Sequence, residues 1–257
     1  MIALIDGDMI TFVACHNKKI KDKKGVPILL NGEPVYEEKT LEDMKDMVDS
    51  YMKHMIKKSG ADKFVMALTR GKCFRYDYYP EYKGNRKQAG MERPQFFYEI
   101  SQYVMDTYKG VVLPGYEADD IIASYKKLYG SEAMVISTDK DLLQCIPGSH
   151  FDPKKNVYIA TSSYDSEYNF WKSMIVGDTA DNIFGLKGKG PAYFQKMVTS
   201  DECGSLYQKT LKAYFEHYQD FNLAIDEFYK HYKCLHLVDT IDAALLPHPF
   251  NCSDYGL

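Results

Sequence analysis

Short apolar runs that stop at a polar or acidic turn are the feature that constrains this chain most. Residues 2–5 (Ile-Ala-Leu-Ile) end at Asp6-Gly7-Asp8, residues 64–68 and 110–113 repeat the pattern, and residues 133–136 lead into Ser137-Thr138-Asp139. Each has the length of a buried strand. Between them lie stretches of helical spacing at 41–57, 96–108 and 118–128; in the first, Leu41, Met44, Val48, Met52 and Met55 share one face. Strands alternating with helices imply an α/β fold with a mostly parallel central sheet flanked by helices, and an active site at the carboxyl ends of the strands. Past Tyr168 the strand signal fades and helices dominate, most clearly at 205–218 and 223–232. The expected organisation is an α/β core over 1–167 and a helical C-terminal region over 168–257. With 257 residues, 45% of them hydrophobic, the chain can bury one large core or two small ones.

Several classes are excluded. The six cysteines (Cys15, Cys73, Cys145, Cys203, Cys234 and Cys252) are scattered, with no C-x-x-C pair and no histidine at zinc-ligand spacing, which reads as free thiols in a reducing cytosol. The apolar stretch at 1–5 ends at Asp6 and Asp8, too soon for a signal-peptide core, and no later stretch approaches the ~20 apolar residues of a membrane span. A soluble, cytoplasmic chain without a membrane partner is expected. The formal charge of −4 does not suggest a polyanionic partner, but its distribution does. From Arg70 to Arg93, seven basic residues (Arg70, Lys72, Arg75, Lys83, Arg86, Lys87, Arg93) outnumber three acidic ones and interleave with Phe74, Tyr76, Tyr78, Tyr79 and Tyr82. A second basic run at 18–24 reads as a solvated turn.

Acidic residues collect just after the strands. Asp6 and Asp8 follow the first, Glu117, Asp119 and Asp120 open a helix after residues 110–113, and Asp139 and Asp141 follow residues 133–136. Asp178 and Asp181 are three apart, a spacing that on a helix puts both carboxylates on one face. Like charges brought together this way repel unless a cation neutralises them. Oxygen ligands without histidine or cysteine select magnesium or manganese, and two such ions would activate a water and stabilise the leaving oxygen of a phosphodiester. Each carboxylate taken alone is as readily a helix cap or a solvated side chain, and Asp8 reads as a turn residue. Recurrence at separate strand ends favours the metal site.

The ordered set Leu4-Ile-Asp-Gly-Asp8, Phe74-Arg75, Pro80-Glu-Tyr-Lys-Gly-Asn-Arg86, Gly115-Tyr-Glu-Ala-Asp-Asp-Ile-Ile122, Ser137-Thr-Asp-Lys-Asp-Leu-Leu-Gln144 and Gly177-Asp-Thr-Ala-Asp-Asn-Ile-Phe-Gly-Leu-Lys-Gly-Lys-Gly-Pro191 resembles the bacteriophage 5′ nucleases. This flap endonuclease and 5′–3′ exonuclease family is also fused to bacterial DNA polymerase I. The resemblance covers about residues 1–200. It implies a PIN-like core in which Asp6, Glu117, Asp119, Asp120, Asp139, Asp141, Asp178 and Asp181 surround two Mg2+ or Mn2+ ions. The group through Asp139 favours one ion; Asp141, Asp178 and Asp181 favour the other. Lys83 and Arg86 are implied as catalytic cations on the scissile phosphate, beneath an arch at about 80–110, with Arg75 and Tyr82 also on the DNA and Tyr82 stacked on the terminal base. Gly185, Lys187, Gly188, Lys189 and Gly190 resemble the family's helix–turn–helix, whose amides face duplex phosphates and whose carbonyls hold K+ in relatives.

The chain departs from the pattern at three places. Thr69 stands where many relatives carry another metal-ligating Asp, which implies a first ion held more loosely; Phe184 replaces a proline, and Lys189 an apolar residue. The expected protein is a monomeric, metal-dependent 5′ nuclease acting on DNA with 5′ ends, nicks or flaps, in phage DNA replication or repair in the host cytoplasm. Two alternatives stand beside it. A haloacid-dehalogenase-type phosphatase would use Asp6-Gly-Asp-Met-Ile-Thr11 as its nucleophile motif, but leaves residues 117–120 and the Lys83/Arg86 segment without a role. A structure-specific DNA-binding protein without catalysis is disfavoured by the intact set around the second ion.

Overall fold

β1 (Ile2–Asp6) is buried along its whole length, as its apolar run between two neighbouring strands requires. The computed structural model describes residues 1–88, 93–200 and 203–257. Directly after β1 the chain turns into α1 (Gly7–Cys15), capped by the Asp6 carboxylate, which accepts from the Met9 amide. An exposed excursion follows, closed by the two-residue strands β2 (Leu29–Leu30) and β3 (Glu33–Pro34). Asn31 and Gly32 at its tip have φ of 52° and 88°, the left-handed pair that a tight hairpin turn demands. The basic run at 18–24 belongs to this hairpin through bridges Lys19–Tyr36 and Lys21–Pro27, and is not a simple turn. α2 (Leu41–Ser59) starts at a Thr40–Asp43 capping box and buries Met44, Val48, Met52 and Met55.

β4 (Lys63–Ala67) then pairs parallel to β1. After α3 (Arg75–Tyr78), α4 (Gly84–Gln88), α5 (Phe97–Thr107) and α6 (Ala118–Tyr129), β5 (Ala133–Ile136) pairs with the other side of β1. α7 (Lys140–Gln144) leads to β6 (Gly148–Asp152), parallel to β5, and to the antiparallel β7 (Val157–Thr161). The helical region comprises α8 (Ser163–Val176), the short pair β8 (Gly177–Asp178) and β9 (Ile183–Phe184), α9 (Pro191–Val198), α10 (Leu206–Tyr218) and α11 (Phe221–Leu235). β10 (Phe250–Asn251) finally joins the outer edge of β4.

The central sheet runs β10-β4-β1-β5-β6-β7. From β1 the chain moves to one side for β4 and then crosses to the other for β5, so a switch point lies at the carboxyl ends of these three strands, where open α/β sheets bind ligands. α1, α2 and α5 cover one face of the sheet and α6 the other, while α8 to α11 pack around Trp171, Phe194, Tyr214 and Phe228.

Several details differ from expectation. Residues 110–113 form no strand: Val111 makes a single parallel bridge to Ala67, and Pro114 has no amide to extend a ladder. β6 and β7 escape the sequence pattern because β6 reads Gly-Ser-His-Phe-Asp and β7 is a largely exposed edge strand. Asp178 and Asp181 share no helix; they sit on β8 and in the turn before β9. Within the arch region, 89–92 lie outside the described residues, and 97–107 are α5, with Phe97, Ile100 and Val104 in the core. The 167/168 boundary falls inside α8. All six cysteines are free thiols, and among the described residues no helix is long and apolar enough to cross a membrane.

Candidate active site

The strand ends at the switch point are tied together by small polar side chains. Ser137, just past β5, donates its hydroxyl to Asp6 Oδ2 at 2.8 Å and accepts the Asp139 amide at 3.0 Å. Asp139 in turn caps α7, accepting the Asp141 amide at 2.7 Å. Past β4, the Thr69 amide donates to the Asp8 carboxylate, and the Thr69 hydroxyl accepts the Ala118 amide at 2.9 Å, fixing the start of α6. These hydrogen bonds bring Asp6, Asp8, Asp119 and Asp139 around one crevice. Among the described residues no lysine or arginine pairs with any of the four. The electrostatic consequence is plain. Burial and Asp8 push the Asp6 carboxyl up to about 7, and burial with Asp139 and Asp6 holds Asp119 well above the carboxylate range.

The facing carboxylates are arranged differently. Glu117 receives Lys83 Nζ at 2.6 Å, and Lys83 and Arg75 hold its pKa below the usual value despite burial. Asp181 receives Arg86 at 3.0 Å and lies 3.7 Å from Lys83 Nζ; Asp178 receives Lys140 Nζ at 2.7 Å, which outweighs burial and lowers its pKa. Asp141 stands between the two arrangements: Lys140 is 3.9 Å away, and burial with Asp139 pushes it up to about 7. Lys83 has φ of 54°, a sparsely populated geometry for a side-chain-bearing residue, held by its amide donating to the Asp181 carbonyl at 2.9 Å. Glu117, Asp119, Asp141, Asp178 and Asp181 all line one cleft.

Three expected site residues take other places. Asp120 is fully buried, and its two oxygens accept Arg75 at 2.7 Å each. It therefore has no face toward an ion. Arg75 is buried too; its guanidinium also donates to the carbonyls of Cys234 and His236, so it clamps the C-terminal segment onto α6 instead of meeting DNA. Tyr82 is 2% exposed, with its hydroxyl 2.8 Å from both Glu117 and Asp181, which leaves no ring face for a base. In the loop before α9, Gly185 packs on α8: a Cβ there would collide with the backbone of Ile175 and Val176, so its glycine serves packing. Lys187 and Gly188 are exposed, Gly190 precedes α9 in open space, and Lys189 lies 3.9 Å over the Tyr193 ring. Sequence reasoning missed Asp8 and Lys140, although both were visible as charged neighbours of assigned aspartates, in Asp-Gly-Asp and Asp-Lys-Asp.

Among the described residues no three carboxylate, imidazole or thiolate groups stand close enough together to hold a metal ion as arranged. The donor chemistry nonetheless fits a hard divalent cation: all candidates are carboxylates, and among the described residues no lysine or arginine forms an ion pair with those around Asp6, although Lys83 acts on Asp8 and Asp119 from a distance.

Residues 1–169 match the family described as 5′-3′ exonuclease, N-terminal resolvase-like domain. The chain is 32% identical over 152 residues to the DNA polymerase I of Rhizobium leguminosarum, covering 52% of this chain and 14% of that protein. With the thermostable DNA polymerase I of Thermus aquaticus it shares 26% identity over 217 residues, covering 80% and 24%. The chain thus spans less than a third of the length of these polymerases. It is 26% identical over 232 residues to the 5′-3′ exonuclease of Bacillus subtilis strain 168, covering 78% and 70%. In fold it is similar to the bacteriophage T5 D15 flap endonuclease, crystallised with DNA and metal ions, with a TM-score of 0.63 at 20% identity over 95% of this chain and 94% of that one.

Proposed function

Because the chain belongs to the 5′-3′ exonuclease family, we propose that it is a divalent-metal-dependent 5′ nuclease that hydrolyses DNA phosphodiesters from 5′ ends and at 5′ flaps, in phage DNA replication or repair. The observation that carries the reading is the juxtaposition, at one sheet switch point, of four carboxylates that form no ion pair with a lysine or arginine among the described residues and the cations Lys83 and Arg86. A phosphatase reading leaves that juxtaposition without a purpose. Residues 1–167 act as the nuclease core and 168–257 as the DNA-binding region of a monomer.

Asp6, Glu117, Asp119 and Asp139 would hold one Mg2+ or Mn2+ ion, and Asp141, Asp178 and Asp181 a second. When bound, these ions supply a nucleophile at neutral pH and charge neutralisation for the leaving oxygen. Lys83 and Arg86 bind and orient the phosphate. Their present partners are carboxylates, so an incoming phosphate oxygen competes for the same cations, which then neutralise the charge that builds on the reacting phosphate. The segment from α8 through β8 and β9 to α9 serves as the helix–turn–helix, with Lys187, Gly188, Lys189 and Gly190 against duplex phosphates and carbonyls of the same loop as the place for K+.

A 5′-labelled flap, a nicked duplex and a chromogenic phosphomonoester, each offered with Mg2+ and with EDTA, test the reading. Mg2+-dependent release of 5′ products from the first two is expected. Cleavage in EDTA, or turnover of the monoester alone, overturns it.

A further inference from the structure

A side chain at Gly7 would place its Cβ 2.8 Å from the Ala67 carbonyl oxygen and Leu68 Cγ, and 2.9 Å from Met66 Sδ. Glycine alone lets the first turn of α1 lie directly on the end of β4. That close approach carries the next residue, Asp8, across to the neighbouring strand, where its carboxylate accepts the Thr69 amide at 3.1 and 3.3 Å. A first-turn aspartate with a capping role aims at its own helix's amides, and in α1 Asp6 already does this. Asp8 aims elsewhere. The charges that act on it are those of the cleft, Glu117 and Lys83, and its own charge acts on Asp6. No lysine or arginine pairs with it among the described residues. The amide and hydroxyl of Thr69 together occupy only part of a carboxylate's acceptor capacity, which leaves lone pairs for a cation.

From this placement we infer that Asp8 is a ligand of the first divalent cation, delivered from α1 to stand with Asp6, Asp119 and Asp139. The inference rests on the metal-dependent reading proposed above and adds a residue to it. Thr69 then acts as the seat that orients Asp8, not as a ligand itself.

The test uses the full chain without DNA, titrated with Mn2+ and followed by calorimetry, together with thermal unfolding in the presence and absence of Mg2+. Asp8→Asn keeps the shape and one acceptor for the Thr69 amide while removing the charge. Its tighter Mn2+ site should weaken by at least about tenfold, the lower end of what even an outer-shell partner of a metal ligand costs. Its Mg2+-induced rise in Tm should shrink, and its metal-free Tm should equal or exceed that of wild type, because one repelling carboxylate is gone. Asp8→Ser serves as a second variant with the same expected loss of affinity. Unchanged Mn2+ affinity with a lowered metal-free Tm would show a purely structural anchor and overturn the inference. If Asp119→Asn loses Mn2+ affinity while Asp8→Asn keeps it, the role of Asp8 alone fails. A wild type that binds no Mn2+ overturns the metal-dependent reading, and the inference with it.

Discussion

Asp6, Asp8, Asp119 and Asp139 meet at the ends of β1 and β5 and the start of α6 with no lysine or arginine paired to them among the described residues, whereas Glu117, Asp120, Asp178 and Asp181 each hold at least one. The two groups are built from the same residue types, and all but the buried Asp120 face the crevice. What differs is the source of neutralisation. In the second group the fold supplies it from within, through Arg75, Lys83, Arg86 and Lys140, and the pKa of Glu117 and of Asp178 stays low, although burial still raises that of Asp181. In the first no ion pair among the described residues supplies it, and burial with the neighbouring carboxylates pushes Asp6 and Asp119 toward the protonated form. An added cation therefore gains most at the group that holds none of its own.

Breaking the carboxylates should have the largest effect. Asp141→Asn or Asp178→Asn should lower flap cleavage by about 10³-fold or more, given that a catalytic ion supplies several kcal/mol and each 1.36 kcal/mol is tenfold. DNA affinity, measured in Ca2+ to block turnover, should stay nearly unchanged. Wild-type cleavage by either variant would remove these residues from the site.

Removing an internal cation tests the second group as structure. Arg75→Ala leaves Asp120 buried without its partner, and losing one member of a buried ion pair costs about 3–5 kcal/mol. Urea unfolding should show that loss with or without Mg2+. A variant as stable as wild type, with DNA affinity reduced instead, would return Arg75 to the DNA interface.

Lys83→Ala should lower the single-turnover rate by about 10²–10³, the range for losing one preorganised charge partner of the transition state, with little change in affinity. Lys187→Ala and Lys189→Ala should do the reverse, weakening duplex binding and reducing its salt slope by about one per lost phosphate contact. Exchange of the two behaviours would overturn both assignments.

The smallest effect is a pH dependence. The folded pKa of Asp6, about 7, exceeds its ordinary 3.8, so the folded protein holds a proton that the unfolded chain has released. The stability contributed by that proton is present below about 4 and is lost as pH rises toward about 7. In metal-free buffer, wild type should therefore lose stability relative to Asp6→Asn across that window, and Mg2+ should remove the difference above it. Parallel stability curves for the two proteins would contradict the uncompensated state of this group.

Much of this was legible in the residues. Strand ends were visible as apolar runs broken by aspartates, because a buried strand must be apolar and a capping or ligating carboxylate must follow it. The order of the motifs disclosed the family, and Glu117 and Asp141, singled out by their sequence context, line the cleft. The hairpin strands β6 and β7 were not legible, because one carries Gly, Ser, His and Asp and the other has no buried face to impose a pattern.

Tertiary structure alone decided how the charges are shared. In sequence, Asp119 and Asp120 are adjacent and equivalent; on α6 they diverge, Asp119 toward the crevice and Asp120 into a buried pair with Arg75, which lies 45 residues away. Tyr82 and Lys83 part in the same way, one buried as a hydrogen-bond donor and the other directed into the cleft. Asp8, unremarkable in the chain, reaches the end of β4 only because Gly7 lets two backbones touch. Local sequence determines which groups can carry charge and where the backbone must turn. Which of those charges are neutralised depends on distances between segments remote in the chain, and only the packed fold sets those distances.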